Sequence, residues 1–192
     1  IIADCKKDCL VSAGRGVMSS IENIRQAKTD FFHRDRDGFL DQLRQELANF
    51  EKLCAKTGVK PVVRLNTISD IQWEKFGIPQ AFPNITFYDY TKLAKRLGNT
   101  PSNYRLMFSY SGKAEYQKQV LMALTTAAPI SVVFNGPMPE TFLGREVIDG
   151  DVSDLENLFS GNKIIGLKAK GKAKKSESDF IVNTNIIARS AA

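Results

Sequence analysis

Histidine and tryptophan each occur once in this chain of 192 residues, and cysteine occurs 3 times. An odd, sparse set of cysteines excludes the dense disulfide framework of a small secreted domain. No apolar run approaches the length of a membrane span, which argues against a transmembrane helix. No basic region followed by an apolar stretch opens the chain, so no signal peptide is expected there. The first residue is Ile1 and not Met, so the natural start is expected upstream.

What is present suits a single α/β domain over residues 1–192. Hydrophobic residues make up 43% and charged residues 25%, enough to bury a core without covalent staples. The net charge is +6, from 27 basic and 21 acidic residues. Lys168, Lys170, Lys172, Lys174 and Lys175 crowd into LKAKGKAKK. The basicity is therefore local and predicts one positive patch.

The stretch SSIENIRQAKTDFFHR reads as a helix, with Ser19 and Glu22 at capping-box spacing. Asp35 and Asp37 can cap a second helix, whose apolar face runs Phe39, Leu40, Leu43, Leu47, Phe50, Leu53, Cys54. Gly58 suits the position just past its end. Beyond it, β-branched and aromatic runs bounded by turn residues predict strands at 62–65, 85–88, 105–108, 130–134 and 164–167. Helical stretches at 92–97, 114–127 and 152–159 (the last capped by Asp151) separate several of them. This alternation predicts βαβ units and a mostly parallel sheet, open or closed into a partial or complete (β/α) barrel. An N-terminal cysteine loop (1–18) and the two helices precede it, and the lysine-rich segment 168–180 is expected to be flexible.

Parallel βα architectures place their sites at the carboxyl ends of strands. Polar residues follow the predicted strands here. Asn66, Asp70, Asp89 and Lys92 are the catalytic candidates, since a carboxylate and an amine at one strand end form a proton-transfer pair. Arg15, Arg64, Ser69, Tyr90, Lys168, Lys170 and Lys172 are the candidates for holding phosphate or substrate. Arg64 lies in a strand otherwise fit for burial and must be paired or face a cavity. The plainer readings make Asp70 and Asp89 helix caps, Lys92 a surface lysine, Trp73 core and the AGRG stretch a tight turn.

Cys5 and Cys9 offer two soft thiolates four apart, which can reach one metal ion or an iron–sulfur cluster. The alternative is a free or structural pair. Cys54, on the apolar helix face, reads as a small core residue. Asp149, Asp151 and Asp154 can bind a divalent cation, although a turn at Asp149-Gly150 and a cap at Asp151 account for most of the pattern. A polybasic run contacts phosphates without reading sequence, so DNA, RNA or a nucleotide is the expected partner.

Several stretches together resemble, in the same order, the gene product 88 group of bacteriophage and prophage proteins. They are CxxxCLVSAGRGxMSS, VRLNTISDIQWE, ITFYDYTK, VVF, and VIDGDVSDL followed by IIGLKAKGKAKK and FIV. The resemblance implies a phage or prophage context, the host cytoplasm with the virion not excluded, and a third cysteine upstream in a CPxA-like stretch. It implies little chemistry. Fold analogy adds two comparisons. Radical S-adenosylmethionine enzymes place a three-cysteine loop near the start of a partial barrel, although their CxxxCxxC is absent here. Phage base-exchanging enzymes pair a cysteine-bound zinc with an aspartate nucleophile, a role Asp70 or Asp89 fits. Two functions are thus expected: a barrel-like enzyme with a cysteine-bound metal or iron–sulfur site acting on a nucleic acid or nucleotide, or a non-catalytic nucleic-acid-binding, host-interaction or virion protein.

Overall fold

The computed structural model describes residues 18–184. Cys5, Cys9 and Arg15, and with them the expected cysteine loop, lie outside the described residues. Helices α1 (Ser19–Arg34) and α2 (Arg36–Thr57) match the sequence periods. Asp35 caps α2 by accepting from the Gly38 amide, and Gly58 closes it in the left-handed region at φ 71°. The expected capping box is not formed: the cap of α1 is Met18, and no side chain bonds there. Cys54 is buried, as its position on the apolar face of α2 requires.

Eight strands follow. They are β1 (Val62–Arg64), β2 (Thr86–Thr91), β3 (Tyr104–Ser109), β4 (Ile130–Asn135), β5 (Thr141–Phe142), β6 (Arg145–Asp149), β7 (Ile164–Lys168) and β8 (Ile181–Asn183). Their order is β1-β2-β3-β4-β7-β6-β5, with β8 beside β4. Every pairing is parallel except the β5–β6 hairpin. That hairpin turns through Leu143 and Gly144, both at positive φ, the backbone a two-residue primed turn needs. Among the described residues no pairing joins β1 to β5, so the sheet is open and the barrel closure is not seen.

Strand alternation gives the sheet two unlike faces. On the first face Phe87, Leu106, Phe108, Ile130, Val132, Phe134 and Ile164 pack with Leu40 and Leu47 of α2, Trp73, and Val120 of α4 (Gln117–Leu124). On the second face Tyr88, Tyr90, Met107, Ile148, Ile165 and Leu167 cluster, among the described residues, with Leu158 of the short α5 (Asp154–Leu158). The topology accounts for this asymmetry. From β1 to β4 the chain advances in one direction across the sheet, whereas β6 to β7 steps back. With right-handed crossovers, a reversed step puts its helix on the opposite face.

β4 pairs with β3 only at Phe108↔Ile130 and Ser109↔Ser131. Beyond that point β8 takes over the same edge, from Val133↔Ile181 to Asn135↔Asn183. The carboxyl ends of β3 and β4 therefore diverge around an inserted last strand. The expected helix at 92–97 is reduced to the 3-10 turn Ala94–Arg96, and Ser153 caps α5 in place of Asp151.

Candidate nucleic-acid interface

Asp89 and Tyr90 are not at a strand end. β2 runs on to Thr91, so the two point to opposite faces of the sheet. The predicted site residues divide accordingly.

On the first face Asn66, Ser69, Asp70 and Asp89 come together. Asp89 has no exposed surface. Its carboxylate accepts from the Asn66 amide N–H at 2.7 Å, Asn66 Nδ2 at 3.0 Å and Tyr104 Oη at 2.7 Å. Asn66 Oδ1 in turn accepts from Ser69 Oγ, the Ile71 N–H and Trp73 Nε1. Arg96, also buried, clasps Glu74 with two bonds of 2.9 Å and reaches Asp70, Thr91 and Tyr104. Asp70 accepts from Thr91 Oγ1 and the Lys92 N–H, so it does not cap the following turn.

Two carboxylates, Asp70 and Glu74, thus share one guanidinium, and Tyr104 links it to a third, Asp89. Burial pushes the Asp89 carboxyl up to about 7, against the hydrogen bonds from Tyr104 and Asn66 that favour its charged form. The cluster ties the tail of β1, the 3-10 helix Trp73–Phe76, β2 and the turn 94–96 into one body. The polar atoms of Asn66 and Asp89 find their partners inside the fold, which suits a structural clamp. Lys92 bends away from this cluster. Its Nζ donates to the carbonyls of Ser109 and Tyr110, and it stands 4.4 Å from the Phe180 ring.

On the second face Arg64 stands 4.5 Å over the Tyr90 ring and bonds the carbonyls of Asn66 and Thr67. Tyr88 and Tyr90 both donate to Asp154, at 3.3 Å and 3.0 Å. Burial first, then the Asp154 charge, raises both phenols, so they remain protonated donors. Arg105 stands 4.6 Å over the ring of Phe159, which is 64% exposed.

The lysine run takes a regular backbone. Gly171–Lys175 forms a 3-10 helix within the segment 168–180. Ala169 and Ala173 bury with Ile181, Val133 and Phe180. Val133 alternates with the first-face residues Val132 and Phe134, so this helix sits on the second face. Lys168 and Lys170 pair with Asp149 and Asp151 at 3.1 Å and 2.7 Å. Lys172, Lys174 and Lys175 have no ion-pair partner among the described residues. The aspartates of the VIDGDVSDL stretch are spent on these lysines, backbone amides and tyrosines. No group of three His, Cys, Asp or Glu able to hold a metal exists among the described residues.

Arg96, Glu74, Tyr104, Arg105 and Phe159 escaped the sequence reading. Arg105 carried a signal: like Arg64, it is a charge inside an otherwise apolar strand. Phe159 ended the helical stretch expected at 152–159.

Among the described residues the architecture is an open, mostly parallel α/β fold with one helix-covered face and one more thinly covered face that carries tyrosine, arginine and lysine. The family model described as Gene product 88 matches residues 3–184, and the chain belongs to that family of phage proteins. No curated protein and no solved structure matches it. Among the described residues no helix is long and apolar enough to cross a membrane.

Proposed function

We propose that this protein binds nucleic acid inside a phage-infected or prophage-carrying host cell, with the 3-10 helix Gly171–Lys175 as its main phosphate contact. The anchoring of that helix carries the reading. Ala173 is 3% exposed, so Lys172, Lys174 and Lys175 extend from a fixed turn. Three ammonium groups held together without acidic partners attract a polyanion and gain from counterion release. An enzymatic reading draws on Cys5 and Cys9, which lie outside the described residues, and on Asn66, Asp70, Asp89 and Lys92, whose polar groups are engaged within the fold. The geometry therefore favours binding over catalysis at that cluster.

Fluorescence anisotropy of a labelled 20-mer across a salt series tests the proposal. The affinity falls with salt, and replacing Lys172, Lys174 and Lys175 by alanine lowers the slope of log K against log salt by about 2, at roughly 0.7 per single-strand phosphate contact. A triple variant with unchanged affinity and slope would overturn the assignment to this helix. Salt-independent or absent binding by the unaltered protein would overturn the function.

A further inference from the structure

We infer that the second face of the sheet is a stacking platform for the bases of single-stranded nucleic acid, an inference that rests on the nucleic-acid reading above. Strand register puts Arg64, Tyr88 and Arg105 side by side on β1, β2 and β3, through the pairs Arg64↔Tyr88 and Tyr88↔Arg105. Neighbouring strands lie about 4.8 Å apart, so the row spans roughly 10 Å. Tyr90 and Phe159 widen it into an array of alternating guanidinium and aromatic planes, with Arg64 on Tyr90 and Arg105 on Phe159. Planar cations and rings are the groups on which unpaired bases stack.

Charge separates the role of this array from that of the lysine helix. Asp154 lies within the array and accepts from both tyrosines, with Arg64 Nη1 3.8 Å away. A carboxylate there repels phosphate, while the faces of neutral bases remain acceptable. The lysine helix lies on the same face at the carboxyl end of β4, and among the described residues Lys172, Lys174 and Lys175 form no ion pair. A strand crossing the second face sets its phosphates on the lysines and its bases on the rings. Beside Arg105 and Phe159, at the amino end of β3, a cavity of about 420 Å³ opens, lined also by Thr100, Pro101, Ser102 and Leu158. That volume is within the range of small-ligand pockets and admits one base. A duplex keeps its base faces stacked internally and cannot use this array.

The test compares three labelled probes at one salt concentration: a 20-mer of thymidylate, an abasic 20-mer of the same charge, and a 20-bp duplex. The unaltered protein binds the thymidylate strand about tenfold more tightly than the abasic one. Phe159→Ala, a change at an exposed position, removes most of that difference and leaves the abasic affinity as it was; Arg105→Gln acts in the same direction. Equal affinity for the thymidylate and abasic strands, or a Phe159→Ala loss shared by both, overturns the stacking platform while leaving phosphate binding in place. Failure to bind any of the three probes overturns the nucleic-acid reading itself and this inference with it.

Discussion

Tyr104 Oη donates to Asp89 Oδ2 at 2.7 Å, and Arg96 Nη2 lies 3.3 Å from the same phenol oxygen. The phenol thereby links a buried carboxylate on β2 to a buried guanidinium in the turn after it. β2, β3, the tail of β1 and the turns Trp73–Phe76 and Ala94–Arg96 meet around this link, so its protonation state bears on the stability of this corner of the sheet.

Asp89 supplies a pH dependence of definite sign. Its carboxyl is raised from 3.8 to about 7 by burial, so the folded state holds a proton that the unfolded state releases. This contribution is complete below about pH 4 and is lost as pH rises through about 7, at up to about 1.4 kcal/mol per pH unit. Urea-unfolding midpoints measured from pH 4 to pH 8 should therefore decline more steeply for the native protein than for Asp89→Asn, which does not titrate. Tyr104→Phe removes a donor that favours the carboxylate, so its decline extends above pH 7. Parallel pH profiles for native and Asp89→Asn protein would show that Asp89 does not titrate in this window.

Arg145 presents a different case, a buried cation held by carbonyls. Its Nη1 donates to Ala128 O at 2.9 Å, and its Nη2 donates to Leu124 O at 2.9 Å and Thr126 O at 2.8 Å. These carbonyls lie at and beyond the end of α4, where a helix leaves acceptors unmet. Burial pulls the guanidinium down from its ordinary range. Arg145→Ala leaves a cavity and unpaired carbonyls and should cost about 2–4 kcal/mol in chemical denaturation. Arg145→Lys recovers only part of this, because an ammonium cannot span three divergent acceptors. A loss below about 0.5 kcal/mol for Arg145→Ala would mean that the end of α4 satisfies itself.

The parts of this fold visible in the sequence are those encoded locally. The five parallel strands β1, β2, β3, β4 and β7 were legible as short β-branched runs, and α1 and α2 as helical periods. The last three residues of β2 were not legible. Asp-Tyr-Thr reads as a polar exit from a strand, and it continues as strand because Asn66 and Tyr104, 23 and 15 residues away, satisfy the aspartate. The same distance in sequence hid Arg96 and Glu74, which are 22 residues apart. β8 is three residues long and exists only because β3 and β4 part. The lysine helix did carry a local sign: Ala169 and Ala173 stand four apart among the lysines, the spacing of one buried edge. Of the catalytic candidates, Asn66, Asp70 and Asp89 lie together beside Ser69 while Lys92 turns away, and Arg64 and Tyr90 belong to the other face.

Two aspartates beside the lysine helix restrain the positive patch. Lys168 Nζ reaches Asp149 Oδ2 and Lys170 Nζ reaches Asp151 Oδ1, both at the carboxyl ends of β6 and β7. Asp149 is held below the usual carboxylate range, chiefly by the Asp151 N–H and then by Lys168, so it is ionised at any physiological pH. Ion pairs with an exposed lysine contribute little to stability, and the asparagine Oδ1 can still accept from the Lys168 N–H, so breaking them leaves the fold intact. Replacing both acids by asparagine removes two negative charges from the edge that a polyanion would approach and frees two ammonium groups. The double variant Asp149→Asn/Asp151→Asn should unfold at nearly the native urea concentration and bind a 20-mer about three- to tenfold more tightly at moderate salt. Its salt slope should steepen by roughly 1, as Lys168 and Lys170 join the phosphate contacts. An affinity unchanged or lowered by this double substitution would place the bound strand away from the β7 edge and confine the phosphate contact to residues 172–175.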